Sequence, residues 1–144
     1  MDEKDRRIIT YLMEHGRDKI SEMSKNLDIP RITIYERMQT MIKNGVIDKF
    51  TVKPNYKELG LPIIAFIFVA FDPKEKITQR ELGLKISSYK EVEEVYIIAG
   101  EWDLLLKVRL STIEEVGNFV LDKLREMKGI GKTETITVFS TVKQ

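Results

Sequence analysis

The sequence contains no cysteine and a single histidine, His15. The first absence excludes a disulfide framework and any zinc site built on thiolates, and the second leaves little room for metal chemistry. Long apolar runs are scarce too. The longest, Ile63 to Phe71, is nine residues, too short to cross a membrane and too far inside the chain for a signal sequence. Net charge is nearly absent, at +1, so nothing in the chain reads as a nucleic-acid tail. No paired carboxylates framed by a glycine loop are present, and an enzyme finds no support. With no metal or cofactor expected, the composition describes a soluble, cytoplasmic globular protein: 42% apolar, 33% charged, and 144 residues, room for one ordinary domain or two small ones.

What charge there is sits unevenly. Residues 1–60 carry 12 Lys/Arg against 10 Asp/Glu, residues 61–144 carry 12 against 13, and residues 31–60 alone carry 6 against 3. If DNA is the ligand of this modest basic patch, affinity must come from placed contacts and from several copies of the reading unit.

The first third of the chain has helical periodicity. Ile8, Ile9, Leu12 and Met13 recur at helical spacing between Asp2 and Glu14, with Gly16 as a stop and His15 as a solvated residue of the last turn. A second helix carries Ile20, Met23 and Leu27 and takes Ser21 as its expected cap; Asp28-Ile29-Pro30 breaks it. A third helix, from about Arg31 to Lys43, presents Ile34, Met38, Met41 and Ile42 to the core. Its other face shows Arg31, Thr33, Tyr35, Glu36, Arg37, Gln39, Thr40 and Lys43. Hydroxyls, an amide and arginines can hydrogen-bond base edges and phosphates, whereas a solvated structural helix usually shows a Lys/Glu mixture. Two helices joined by a three-residue turn form a helix-turn-helix, whose second helix enters the major groove. Val46 to Val52 alternates apolar and polar residues and predicts a strand.

Pro54 and the Gly60/Pro62 pair bracket a connector. The expected organisation is a DNA-binding domain over residues 1–53, a linker over 54–62 and a second domain over 63–144. In that second domain strands are predicted over Ile63–Phe71, Val92–Ala99, Trp102–Leu110 and Thr133–Val142. Helices are predicted over Thr78–Tyr89 and from Thr112 to about Met127, with Thr112 and Glu115 at capping-box spacing. The order β-α-β-β-α-β is the ferredoxin-like plan, and the fold class is α+β: a winged-helix-like helix-turn-helix followed by a ferredoxin-like domain. Apolar side chains fall on both faces of the first strand, so a partner subunit is expected to cover the face without helices.

Three stretches carry a resemblance. Asp5 to Leu27, Glu36 to Ile47 (ERMQTMIKNGVI) and Ala99 to Val108 (AGEWDLLLKV) stand in the order and on the elements of the Lrp/AsnC, or feast/famine, transcriptional regulators, which the chain resembles over essentially its whole length. The most specific of them is the G-x-x-D turn, Gly100-Glu101-Trp102-Asp103. Two departures stand out: Asp28 and Pro30 replace the usual glycine and hydroxyl cap before the third helix, and Ala99 stands where a threonine is common.

The resemblance implies dimers assembled into an octamer on double-stranded DNA, with a small amino acid or related metabolite bound between dimers at Gly100, Glu101, Trp102 and Asp103. Backbone amides of the turn would hold the ligand's carboxylate, Asp103 its ammonium group, and Trp102 would wall the pocket. From spacing alone, the same turn also reads as a plain hairpin whose aspartate caps backbone. On the DNA side Arg37 and Lys43 are expected on phosphates, and Arg31, Thr33, Tyr35, Gln39 and Thr40 on base edges or backbone. The alternative reading is an architectural DNA-binding protein that ignores ligands, against which the small net charge speaks.

Overall fold

The computed structural model describes all 144 residues. The chain forms two compact units, Met1–Lys53 and Pro54–Gln144.

The first unit is three helices, α1 (Glu3–Glu14), α2 (Ile20–Leu27) and α3 (Arg31–Lys43). Asp2 starts α1 by a reciprocal cap: its carboxylate accepts from the Asp5 amide at 3.0 Å, and Asp5 accepts from the Asp2 amide at 2.9 Å. Helix α2 begins before the expected cap. Its N-cap is Lys19, whose amide donates to the Glu22 carboxylate at 3.0 Å, so Ser21 lies inside the helix. Asp28 ends α2 in the left-handed region at φ 53°, and Pro30 begins α3. Ile8, Met23, Leu27, Ile29, Ile34 and Met41 form the core. Ile42, expected in that core, is 41% exposed. It stands about 100° round the helix from Met41 and turns off the packed face.

Val46–Val52 forms no strand. Its alternation suits a half-buried strand, but a strand needs a neighbouring edge, and three helices supply none. Phe50 and Val52 are left exposed.

The second unit follows the expected plan: β1 (Ile63–Phe71), α4 (Gln79–Ser87), β2 (Val92–Ile97), β3 (Leu104–Leu110), α5 (Ile113–Asn118) continuing as a π-helical turn (Phe119–Leu124), and β4 (Ile130–Thr137). The sheet order is β2-β3-β1-β4, with every neighbouring pair antiparallel. Strand β1 therefore runs parallel to β2 with β3 between them, the split βαβ arrangement. The last strand ends at Thr137 rather than Val142. Thr112 caps α5 through the Glu115 amide at 3.1 Å. The Glu115 carboxylate turns instead to the amide and hydroxyl of Ser111, so the reciprocal half of the expected capping box is missing.

One sheet face carries the core. Ala65, Ile67 and Val69 of β1 and Leu104, Leu106 and Val108 of β3 meet Leu82, Ile86, Val116, Phe119 and Leu124 from the helical side. The opposite face bears Phe66, Phe68, Leu105, Tyr96 and Ile136, by the registers Phe66↔Lys107, Phe68↔Leu105, Tyr96↔Leu105 and Phe66↔Ile136. No helix covers that face, and Tyr96 and Ile136 are each 48% exposed. Residues 54–62 run past it through a turn. Tyr56 lies under the Arg109 guanidinium at 3.7 Å, and Arg109 Nε donates to Glu93 at 2.7 Å. Arg109 is buried, so this stacked ion pair fastens the turn to the sheet.

Candidate DNA-reading helix and effector turn

Helix α3 sorts the expected DNA contacts into three groups. Arg31, Tyr35, Gln39 and Lys43 are exposed and donate to or accept from no other protein side chain. Thr33 and Thr40 fall on the flank, lining a hollow with Arg37 and Asn44. The Thr40 hydroxyl is already committed, donating to the Glu36 carbonyl at 2.9 Å one turn back.

Arg37 departs from expectation. Its Nη1 contacts both oxygens of Asp2 at 2.7 Å and Asp5 Oδ1 at 2.8 Å, the two carboxylates that cap α1. The hydrogen bond to Arg37 leads the causes that hold the Asp2 carboxyl at about 2, from an ordinary 3.8. The Asp5 carboxyl is also lowered, first by the Asp2 amide and then by Arg37. Arg37 in turn is raised above its ordinary value by Asp2 and then Asp5. These contacts, all through Nη1, fasten the start of α1 to the middle of α3 and leave the other guanidinium donors of Arg37 without a protein partner.

One residue on the exposed face was not in the expected set. Ile32 is 68% exposed, more than Tyr35 at 54%. Its position one residue before Thr33, off the Ile34/Met41 line, is the sequence signal that places it outside.

The turn between β2 and β3 is closed by the Ile98 amide donating to the Asp103 carbonyl at 2.9 Å, and the Asp103 amide donates to Val69 O of β1 at 3.0 Å. Gly100 takes φ 141°, a conformation that side chains rarely adopt, and a Cβ there would meet nothing within 4 Å. The amides of Gly100, Glu101 and Trp102 have no protein acceptor. Glu101 is exposed, with no ion pair. The Trp102 ring lies 5.8 Å from Phe68 and has the Lys132 ammonium over it at 4.8 Å, which places it against the uncovered sheet face.

Asp103 is the second departure. Its Oδ2 accepts from the Phe71 amide at 2.8 Å and its Oδ1 from Gln79 Nε2 at 3.3 Å. The carboxylate expected to receive a ligand's ammonium also ties β1, the turn and the first residue of α4 together, with lone pairs to spare. His15, read as a solvated helix-end residue, is the C-cap residue of α1; its ring packs on Tyr11 at 4.6 Å and its Nδ1 lies 4.0 Å from Asp18.

A helix-turn-helix unit with an exposed polar helix, joined to a ferredoxin-like domain with an open turn, is an arrangement that suits a DNA-binding regulator. Residues 1–48 match the model of the winged helix-turn-helix DNA-binding family, and residues 64–144 match that of the Lrp/AsnC ligand binding domain. The chain belongs to the Lrp/AsnC family of transcriptional regulators. It is 48% identical over 144 residues to an uncharacterised HTH-type transcriptional regulator of Pyrococcus horikoshii, covering 100% of this chain and 96% of that one. Its fold is that of E. coli AsnC, with TM-score 0.89 and 25% identity over 100% of this chain and 95% of the other. A Neisseria meningitidis regulator solved as a complex with L-Met has the same fold, with TM-score 0.89 and 23% identity over 100% and 93% of the two chains.

Proposed function

We propose that the chain reads specific DNA sequences through α3, and that a small amino acid or related metabolite, settling on the Gly100–Trp102 turn between dimers, changes its assembly and so its DNA affinity. One observation carries this reading: donors on two exposed surfaces, the α3 face and the turn, have no partner within the protein. Three unspent amides at a glycine-opened turn suit a carboxylate, and Glu101 is the carboxylate there with no protein partner for an ammonium group. The relative solved with L-Met makes methionine the first ligand to try.

In this reading residues 1–53 bind DNA, residues 63–144 sense and assemble, and 54–62 connect them. Arg31 and Lys43 lie against phosphates, and Tyr35 and Gln39 face base edges, with Thr33 and Thr40 at the margin. The apolar sheet face of Phe66, Phe68 and Leu105 is covered by a second copy, and dimers join into a larger ring. Assembly then sets recognition helices one helical turn of DNA, ~34 Å, apart. The effector acts only as far as it binds one assembly better than another.

The test is a thermal-shift screen of the common amino acids, L-methionine first, read together with light-scattering mass and DNA affinity. A ligand that raises the melting temperature and also moves mass or affinity supports the sensor. If none at millimolar concentration does either, the effector half fails. DNA binding that is steeply salt-dependent and shows no sequence preference would point instead to a ligand-independent architectural protein.

A further inference from the structure

We infer that Ile32 is a specificity-determining residue that reads the 5-methyl group of a thymine in the major groove; this rests on α3 being the DNA-reading helix. Ile32 is 68% exposed although it is among the most apolar side chains of the helix. It occupies the second position of α3, and the base contacts of a recognition helix come from its N-terminal residues. Tyr35 and Gln39 lie three and seven residues on, so the three side chains share one exposed stripe. Arg31 precedes it, and the first turn holds no acidic residue and no side-chain cap, so that end of the helix suits a phosphate backbone.

The chemistry then selects the base. In the major groove thymine alone presents a methyl group, while the other edges present donors and acceptors that an isoleucine cannot satisfy. A β-branched side chain is held near one rotamer on a helix, so it meets the methyl with little further loss of freedom. The same stiffness and branching make isoleucine a poorer helix former than lysine or glutamate at a solvated position, so helix propensity does not account for it. Pairing Ile32 with a donor or acceptor edge would desolvate that edge for nothing, which discriminates against G·C at the same step.

The experiment uses the full-length protein and double-stranded DNA enriched by it from a random-sequence pool. The enriched sequence is then synthesised with deoxyuridine in place of thymidine at one position at a time, which deletes only the methyl. For the wild type, uracil at one position in each half-site is expected to weaken binding about fourfold, the worth of one buried methyl group. For Ile32→Ala, thymine and uracil should bind alike there, while Ile32→Val keeps part of the difference. Ile32 is exposed, so neither change threatens folding. If uracil is silent at every position, or if its effect persists in Ile32→Ala, the inference is overturned while sequence-specific binding stands. If no sequence is enriched at all, sequence-specific reading fails and takes this inference with it.

Discussion

Arg37 and Asp103 show how a polar side chain in a promising place can be committed elsewhere. Each meets partners far away in sequence, Arg37 on Asp2 and Asp5, Asp103 on Phe71 and Gln79. For Arg37 this gives a pH signature. The Asp2 carboxyl is depressed to about 2 and that of Asp5 is lowered too, so their contribution is fully present above the ordinary carboxylate range and is lost as pH falls below it, for Asp2 towards about 2. Arg37→Met removes the leading cause for Asp2 and leaves the capping amides in place. Urea unfolding followed by the helical signal should therefore show a smaller loss of stability between pH 4 and pH 2 in Arg37→Met than in the wild type. Equal losses in the two proteins would mean that the ion pair contributes nothing. The slope of log DNA affinity against log salt should be the same in Arg37→Met and the wild type if Asp2 and Asp5 hold this guanidinium, and lower by about 1 if it also meets a phosphate.

At the scale of the element, α3 is a helix with two loyalties. Ile34 and Met41 anchor it in the core. The opposite stripe of Ile32, Tyr35, Gln39 and Lys43 has nothing within the chain to hold it. Lys43 stands in the last turn, where a cation also complements the helix dipole. If it meets a phosphate, Lys43→Ala should weaken binding to all sequences alike and lower the slope of log affinity against log salt by about 1. Binding titrations at several salt concentrations measure this, and an unchanged slope would remove Lys43 from the interface. The π-helical turn after α5 is the other element with a distinctive shape. It keeps Phe119, Val120 and Leu124 on the core while its Lys123 pairs with the buried Glu91 at 2.5 Å, just before β2.

At the scale of the whole molecule, the sheet has one face covered by its own helices and one left apolar. The face carrying Phe66, Phe68, Leu105, Tyr96 and Ile136 gathers apolar side chains in one place, and we propose that a second copy covers it. Phe66→Ser, in the middle of that face, should lower the molecular mass seen by light scattering at micromolar concentration. The monomer fold should persist, because Phe66 points away from the core formed by Ala65, Ile67 and Val69. A mass equal to that of the wild type would place the assembly contact elsewhere. Loss of assembly should also weaken DNA binding, since a solitary reading unit with so small a charge is a poor binder.

Sequence alone was enough for the parts that depend on near neighbours. Apolar spacing at 3.6 and 2 residues marks three helices and then β-α-β-β-α-β, and a glycine at Gly100 marks the open turn, because these rest on interactions across a few residues. The Lrp/AsnC resemblance was legible for the same reason, being carried by contiguous stretches. Tertiary structure decided which side chains are spent. Ile32 and Ile42 share the composition of the core but face outward, since periodicity gives relative angles and not the position of the packing partner. Val46–Val52 has the alternation of a strand but no edge to join. Sequence reads Arg37 as a phosphate contact and Asp103 as a ligand acceptor; only packing shows that α1 brings Asp2 and Asp5 against the first and that the end of β1 meets the carboxylate of the second. A hydrogen-bonding group can be assigned to a ligand only after its partners within the protein are counted, and those partners are chosen by packing over distances along the chain that local pattern does not reach.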